Sequence, residues 1–291
     1  MKIQIGSKAV LLEIDSFGAE LKSFQDMTGR EYLWQGDKQF WSGQAPILFP
    51  IVGNLRKDHA FYKEKEIVLP RHGFARKKEF RTVMKTESSA TFSLRADEET
   101  LQQYPFEFGL MVTYRVVDCT LTVELLVMNY GTDPMPYAIG GHPAFRVPIL
   151  REEKFENYWI KFEKEENISC PQIQKETGLI DFSQEIFTLK NSTSFPLSHQ
   201  IFEKDALIFE HPMSKKVKLV SQISGRGIEM EYNGFSYLGI WSAPNAPFVA
   251  LEPWTSCATA INEADSLEEK RGIKILSPGG NDKYTYQITI L

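Results

Sequence analysis

Alternation of apolar and polar residues at period two dominates this chain. It predicts strands over 10–14, 79–84, 91–94, 111–116, 121–128, 216–220, 228–232, 237–241 and 284–290. The first residues, Met1-Lys2-Ile3-Gln4-Ile5, enter a strand-like pattern at once. The runs 111–116 and 121–128, separated by Val117-Asp118-Cys119-Thr120, predict a hairpin. A second hairpin is expected from Glu229 to Ile240, turning at Asn233-Gly234, the strongest short turn signal in the sequence. Helical patterns are few; 97–104 is acidic at its start and stops before Pro105, which predicts about two turns of helix.

No Gly/Ser linker, low-complexity tract or fixed repeat interrupts this pattern. Many short strands with almost no strand–helix alternation predict an all-β fold, a large antiparallel β-sandwich spanning 1–291 as one domain. A chain of 291 residues can bury a substantial core.

Composition removes several function classes. A net charge of -5 gives no general attraction to nucleic acid or to an anionic membrane. The basic run Arg71, Arg76, Lys77, Lys78 is local and reads as a solvated strand edge. Cys119, Cys170 and Cys257 are widely spaced and odd in number, as expected of isolated thiols in a reducing compartment. With no apolar leader pattern and no run near the ~18 apolar residues of a membrane span, a cytoplasmic protein is expected. The chain has no HExxH, CxxC, GxSxG, GxGxxG or GxxxxGK[ST] motif, so neither a metal nor a cofactor is expected. Ser224-Gly225-Arg226-Gly227 is better explained as a tight turn between strands than as a phosphate loop.

Three short segments could carry proton chemistry. Glu252 ends the apolar run Pro247-Phe248-Val249-Ala250-Leu251 and precedes Pro253-Trp254. A carboxylate at the end of a core strand is partly desolvated and becomes a stronger base; a structural ion pair is the alternative. His142 lies in Gly140-Gly141-His142-Pro143, a frame that holds an imidazole in place, either as an acid near neutral pH or as a buried partner of a carbonyl. His72, within Arg71-His72-Gly73-Phe74, and Arg56, presented by Gly53-Asn54-Leu55-Arg56, could donate hydrogen bonds to substrate oxygens or clamp neighbouring chain. Asp205, at the start of a strand, is the third acidic candidate. His59, His199 and His211 have no comparable frame and are read as surface or loop residues.

These segments, in this order, resemble the aldose 1-epimerases (galactose mutarotase-like proteins), and within them the LacX-like branch. The similarity is collinear over nearly the whole chain. It runs through 18–23, 31–34, Gly53-Asn54-Leu55-Arg56, His72-Gly73-Phe74, Gly140-Gly141-His142-Pro143-Ala144-Phe145, Ser224-Gly225-Arg226 and Leu251-Glu252-Pro253-Trp254. The resemblance implies a large sandwich with a sugar in an open cleft on a concave face. It implies Glu252 as general base and His142 as general acid, with Arg56, His72 and Asp205 binding hydroxyls, and a monomer or homodimer acting on a free hexose such as galactose or glucose. The chain departs from the galactose mutarotases at Phe74, at the Gly-Gly-His-Pro frame and at Trp254, positions where the sugar is chosen. Lys57, Arg71 and Arg76 leave a phosphorylated hexose open, and a non-catalytic carbohydrate-binding protein on the same fold is a further reading.

Overall fold

The computed structural model describes residues 1–291, and two antiparallel sheets form its body. One has nine strands and the other six. The hairpin expected near 111–128 is present: Phe108–Val117 pairs with Thr120–Asn129 in regular register across a two-residue loop at Asp118-Cys119. Inward residues of both strands (Leu110, Val112, Tyr114 against Leu121, Val123, Leu125) are fully or almost fully buried, which is the alternation that the sequence displays. The helix is a single element, Glu98–Gln103, capped by the Asp97 side chain on the Thr100 amide. No helix is long and apolar enough to cross a membrane.

The Glu229–Ile240 hairpin does not form. Gly227–Glu231 lies in the nine-stranded sheet between Lys216–Ser221 and Asn281–Ile290. Tyr237–Trp241 lies in the six-stranded sheet between Leu207–Glu210 and Phe248–Trp254. The Asn233-Gly234 turn is real, with Gly234 in the left-handed region at φ 86°. Buried Phe235 follows it, and the Ser236 amide donates to the Trp254 carbonyl at 3.1 Å, so the chain crosses between sheets instead of folding back. The Ser224-Gly225-Arg226-Gly227 turn does join Lys216–Ser221 to its antiparallel neighbour, as expected.

Two long strands, Tyr158–Ile173 and Ile180–Pro196, were not expected. Their middle reads Glu163-Lys164-Glu165-Glu166-Asn167, and repeated register shifts break the alternation. Buried Glu166 is satisfied there by the amides of Met213 and Ser214 at 3.0 and 2.7 Å. Cys170 and Cys257 are buried free thiols, whereas Cys119 is only half-buried.

The functional strand is Phe248–Trp254, which is buried along its whole length. Its alternation divides two environments. Leu251 joins the 67-residue apolar cluster that draws on both sheets, while Glu252 and Trp254 face a cleft on the other side. Leu251→Ala should therefore lower unfolding free energy by about 2–5 kcal/mol in urea titration, with a loss under about 1 kcal/mol contradicting this packing.

Candidate active site

The cleft has a volume of about 390 Å³, within the usual range for small-molecule sites. Glu252, His142, His72 and Asp205 all line it. Glu252 stands opposite Gly239 in the neighbouring strand. His142 follows Gly140-Gly141, which pairs with Ile47–Leu48 on one side and with Trp254 on the other. The double glycine has a steric cause at Gly141, where a Cβ would lie 2.7 Å from the Tyr286 hydroxyl. The His142 amide donates to the Pro46 carbonyl at 3.1 Å, so the imidazole is fixed by backbone on both flanks.

His142 Nε2 comes within 3.1 Å of Glu252 Oε2. The contact lacks hydrogen-bond alignment, since Oε2 is buried without a hydrogen-bond partner; His142 Nδ1, the other ring nitrogen, is likewise buried and unpaired. The carboxylate is 1% exposed and the imidazole 7%. Burial disfavours the charged form of each group. It pushes Glu252 well above the usual carboxylate value; the Arg71 guanidinium opposes this and Asp205 adds to it. Burial likewise lowers His142 to about 3, helped by Arg71 and Arg76. The opposite shifts favour a single proton on the pair, carried by the carboxyl and not by the imidazole.

Trp41 stacks on His142 with ring centroids 4.7 Å apart, and Trp241 meets the imidazole edge-on at 5.7 Å. These indoles exclude water from one side of the ring and give the cleft an aromatic wall.

His72 is buried, with its ring centroid 5.8 Å from that of His142. It adopts a left-handed backbone at φ 65°, and Gly73 follows at φ 68°. A Cβ on Gly73 would sit 2.2 Å from the Phe49 carbonyl oxygen, so the His-Gly pair is dictated by close backbone approach. The Gly53 amide donates to His72 Nδ1 at 3.1 Å. Burial lowers this imidazole well below its ordinary value, with Arg71 contributing, so the ring is neutral. A neutral ring that accepts at Nδ1 carries its proton on Nε2, which makes it a donor. Asp205 also has positive φ, at 84°, and one carboxylate oxygen accepts from the Ala206 amide at 2.8 Å.

Arg56 does not join them. Its Nε holds Asp265 at 2.9 Å, and Nη2 donates to the carbonyls of Ala260, Ile261 and Glu263. Nε and Nη2 tie residues 260–265 to the turn at 56, so Arg56 is a structural clamp outside the cleft. Lys57 does not line the cleft either. Arg71 and Arg76 do, on turns instead of the expected strand edge, although Arg71 is solvent-exposed as expected. After left-handed His72 and Gly73, the 3₁₀ turn Ala75–Lys77 carries the run along the cleft rim. Lys77 is exposed and outside the cleft, and Lys78, half-buried, pairs with Glu99 at 2.6 Å. The sequence reading also missed Trp41 and Trp241. The available signal for Trp41 was an aromatic pair, Phe40-Trp41, inside the polar segment 35–44.

His59 and Glu66 pair at the surface, His199 stacks on Phe155 and His211 is exposed. No group of three or more His, Cys, Asp or Glu side chains is assembled to hold a metal ion. The arrangement in the cleft can move one proton between a carboxylate and an imidazole while neighbouring donors and an acidic side chain hold a polyhydroxylated molecule.

Comparison with known proteins finds relatives at the level of family and fold. The family model described as aldose 1-epimerase matches residues 1–273. The chain is 39% identical to protein LacX (plasmid) of Lactococcus lactis subsp. lactis, with 100% of both chains covered. Among solved structures, it resembles a galactose mutarotase related enzyme from Lactobacillus acidophilus at 29% identity and a TM-score of 0.94, covering 100% of this chain and 97% of that one. It also resembles a galactose mutarotase-like protein from Lactobacillus casei ATCC 334 at 30% identity and a TM-score of 0.91, covering 100% of both.

The raised Glu252 has a consequence for stability. A group whose folded pKa lies above its unfolded value, 4.5 here, stabilises below that value and loses the contribution as pH rises through the folded pKa. At pH 8 the native protein therefore bears the cost of the buried carboxyl group's tendency to ionise. Glu252→Gln should raise Tm at pH 8, and the gain should shrink toward pH 5. A Tm that falls equally at both pH values would contradict the desolvation account.

Proposed function

The chain belongs to the aldose 1-epimerase family, and on that premise we propose that it interconverts the α and β anomers of an aldose by general acid–base ring opening. The observation that carries this reading is the buried contact between Glu252 and His142 at the wall of a sugar-sized cleft. In the pair's charge-separated form, the Glu252 carboxylate takes the proton from the anomeric hydroxyl. The His142 imidazolium protonates the ring oxygen, and the bond between the anomeric carbon and that oxygen breaks. The pair is then left uncharged, with the proton on Glu252.

Rotation about the bond from the anomeric carbon to its neighbour turns the aldehyde face. On closure, Glu252 returns its proton to the aldehyde oxygen and His142 takes one from the ring hydroxyl. The pair holds one proton throughout, so no exchange with solvent is needed within a turnover. Burial favours the uncharged form in the empty cleft, which is the form required for closure. Arg71 favours the Glu252 carboxylate and disfavours the His142 imidazolium, so it acts on the two partners in opposite senses.

His72, with its proton on Nε2, and Asp205 supply a donor and an acceptor for sugar hydroxyls. Trp41 and Trp241 offer apolar faces. A protein that only bound sugar would gain nothing from a carboxylate and an imidazole buried without full partners, since both cost stability.

The wild-type protein should accelerate the decay of optical rotation of freshly dissolved α-D-glucose or α-D-galactose, and Glu252→Gln should lower kcat/KM by about 10²–10⁴-fold. Unchanged decay across a panel of aldoses and their 6-phosphates would sink the enzyme reading.

The working species is the one-proton pair, and His142 gains a second proton only toward pH 3. The profile of kcat/KM should thus pass without a break through 6.5, the ordinary imidazole value, and fall only in stronger acid. An acid limb centred near 6.5 would show that His142 titrates as an exposed imidazole.

A further inference from the structure

Ring opening starts from a Glu252 carboxylate, yet burial holds this group uncharged in the empty cleft. Arg71 does not resolve the conflict, because the charge that favours the carboxylate also disfavours the His142 imidazolium. Asp205 opposes the carboxylate outright. The charge-separated pair needs a donor to Glu252 that carries no net charge, and such a donor lies two residues further along the same strand.

Trp254 and Glu252 are on one face of Phe248–Trp254, and both line the cleft. The indole Nε1 is buried with no hydrogen-bond partner, and so is Glu252 Oε2. A donor without an acceptor therefore shares a strand face with an oxygen that lacks a donor. Leaving either group unpaired away from water is costly. An indole Nε1–H can only donate, so it has no alternative role to adopt.

Two glycines fix the ring that carries this N–H. A Cβ on Gly140, which pairs with Trp254, would stand 2.7 Å from indole Cδ1. A Cβ on Gly239, which pairs with Glu252 on the other side, would stand 2.7 Å from Cζ2. Cδ1 and Cζ2 flank Nε1 along one edge of the indole, so the two contacts bracket the N–H. The ring lies across its own strand and reaches the residue opposite Glu252. Against the larger effect of burial, Trp254 draws the Glu252 carboxyl toward its ionised form. His142, Arg71 and Asp205 are the titratable and charged groups that face Glu252 from other segments. Because Nε1 is buried, its proton serves the protein and not the sugar.

We propose that Trp254 is a positioning residue for the proton transfer: its indole N–H donates to the Glu252 carboxylate in the charge-separated pair and stabilises the form from which ring opening starts. This rests on the mutarotase reading given above. As the proton passes from Glu252 Oε2 to His142 Nε2, the unpaired N–H and the new carboxylate form a charge-assisted hydrogen bond, which is strong at low dielectric. When Glu252 takes the proton of the anomeric hydroxyl, that bond relaxes. Closure runs the same sequence in reverse.

Two replacements remove the N–H: Trp254→Phe, and exchange of Trp254 for 3-benzothienylalanine, which keeps the two-ring shape with sulfur in place of N–H. Both should lower kcat for anomer exchange by about 10–100-fold while KM changes less than about twofold. Both should also raise the pH at which the Glu252 carboxyl ionises, read by ¹³C NMR, a shift that a packing role would not produce. In the wild type, the Trp254 Nε1–H proton should move downfield as Glu252 ionises, and it should stay fixed over the same pH range in Glu252→Gln. A benzothienylalanine protein with wild-type kcat, or an indole proton that ignores the ionisation of Glu252, would overturn the proposal. The indole signal needs no turnover, so the two readings fail separately. Turnover without an indole response removes only the role of Trp254. An indole response with no turnover of any sugar removes the mutarotase, and the catalytic role with it, and leaves a hydrogen bond that only sets the Glu252 ionisation.

Discussion

A carboxyl group at 1% exposure beside an imidazole at 7% is an expensive arrangement, because a charge on either would lose hydration worth several kcal/mol and their mutual contact is not an aligned hydrogen bond. Such a pair persists only where the surrounding fold leaves it no route to water. Phe248–Trp254 supplies that enclosure by being buried from end to end, with core on one face and cleft on the other. The Trp41 and Trp241 rings close the imidazole side. The same desolvation that weakens the fold at this point favours the proton on Glu252 in the empty cleft, the form from which ring closure proceeds.

Two side chains of the cleft stand on strained backbone. His72 and Asp205 are non-glycine residues in the left-handed region, at φ 65° and 84°, and both face the site. Conformations of this kind cost of order 1–3 kcal/mol each and persist where packing overrides them. At His72 the cause is visible: the chain must pass against the Phe49 carbonyl, and Gly73 allows it to do so. The functional side chains thus sit on sheet strands or on turns pinned to them.

Glu252 and His142 were legible in the sequence because their frames are local. An apolar run ending in Glu-Pro marks a buried carboxylate, and Gly-Gly-His-Pro marks a held imidazole. The hairpin of Phe108–Val117 and Thr120–Asn129 was legible for the same reason, since pairing, alternation and turn lie within one short stretch. The proposed partner of Gly227–Glu231 was wrong because the choice between a hairpin and a sheet crossing is made by strands far along the chain. Arg56 was misread because its carboxylate partner, Asp265, is 209 residues away. Arg71 is exposed, as expected of a solvated run, but with Arg76 it also borders the cleft, which was not expected. Only the left-handed turn at His72 brings them to the cleft, and composition carries no trace of it.

The central claim is that Glu252 and His142 share one proton at neutral pH. An NMR titration of the protein labelled with ¹³C at glutamate carboxyls and ¹⁵N at histidine rings, assigned with Glu252→Gln and His142→Gln, reads both groups at once. The account predicts a protonated Glu252 carboxyl and a neutral His142 ring at pH 7 in the empty cleft, with no independent imidazole titration near 6.5. A Glu252 carboxyl that is fully ionised at pH 7 while His142 titrates alone near its ordinary value would contradict it.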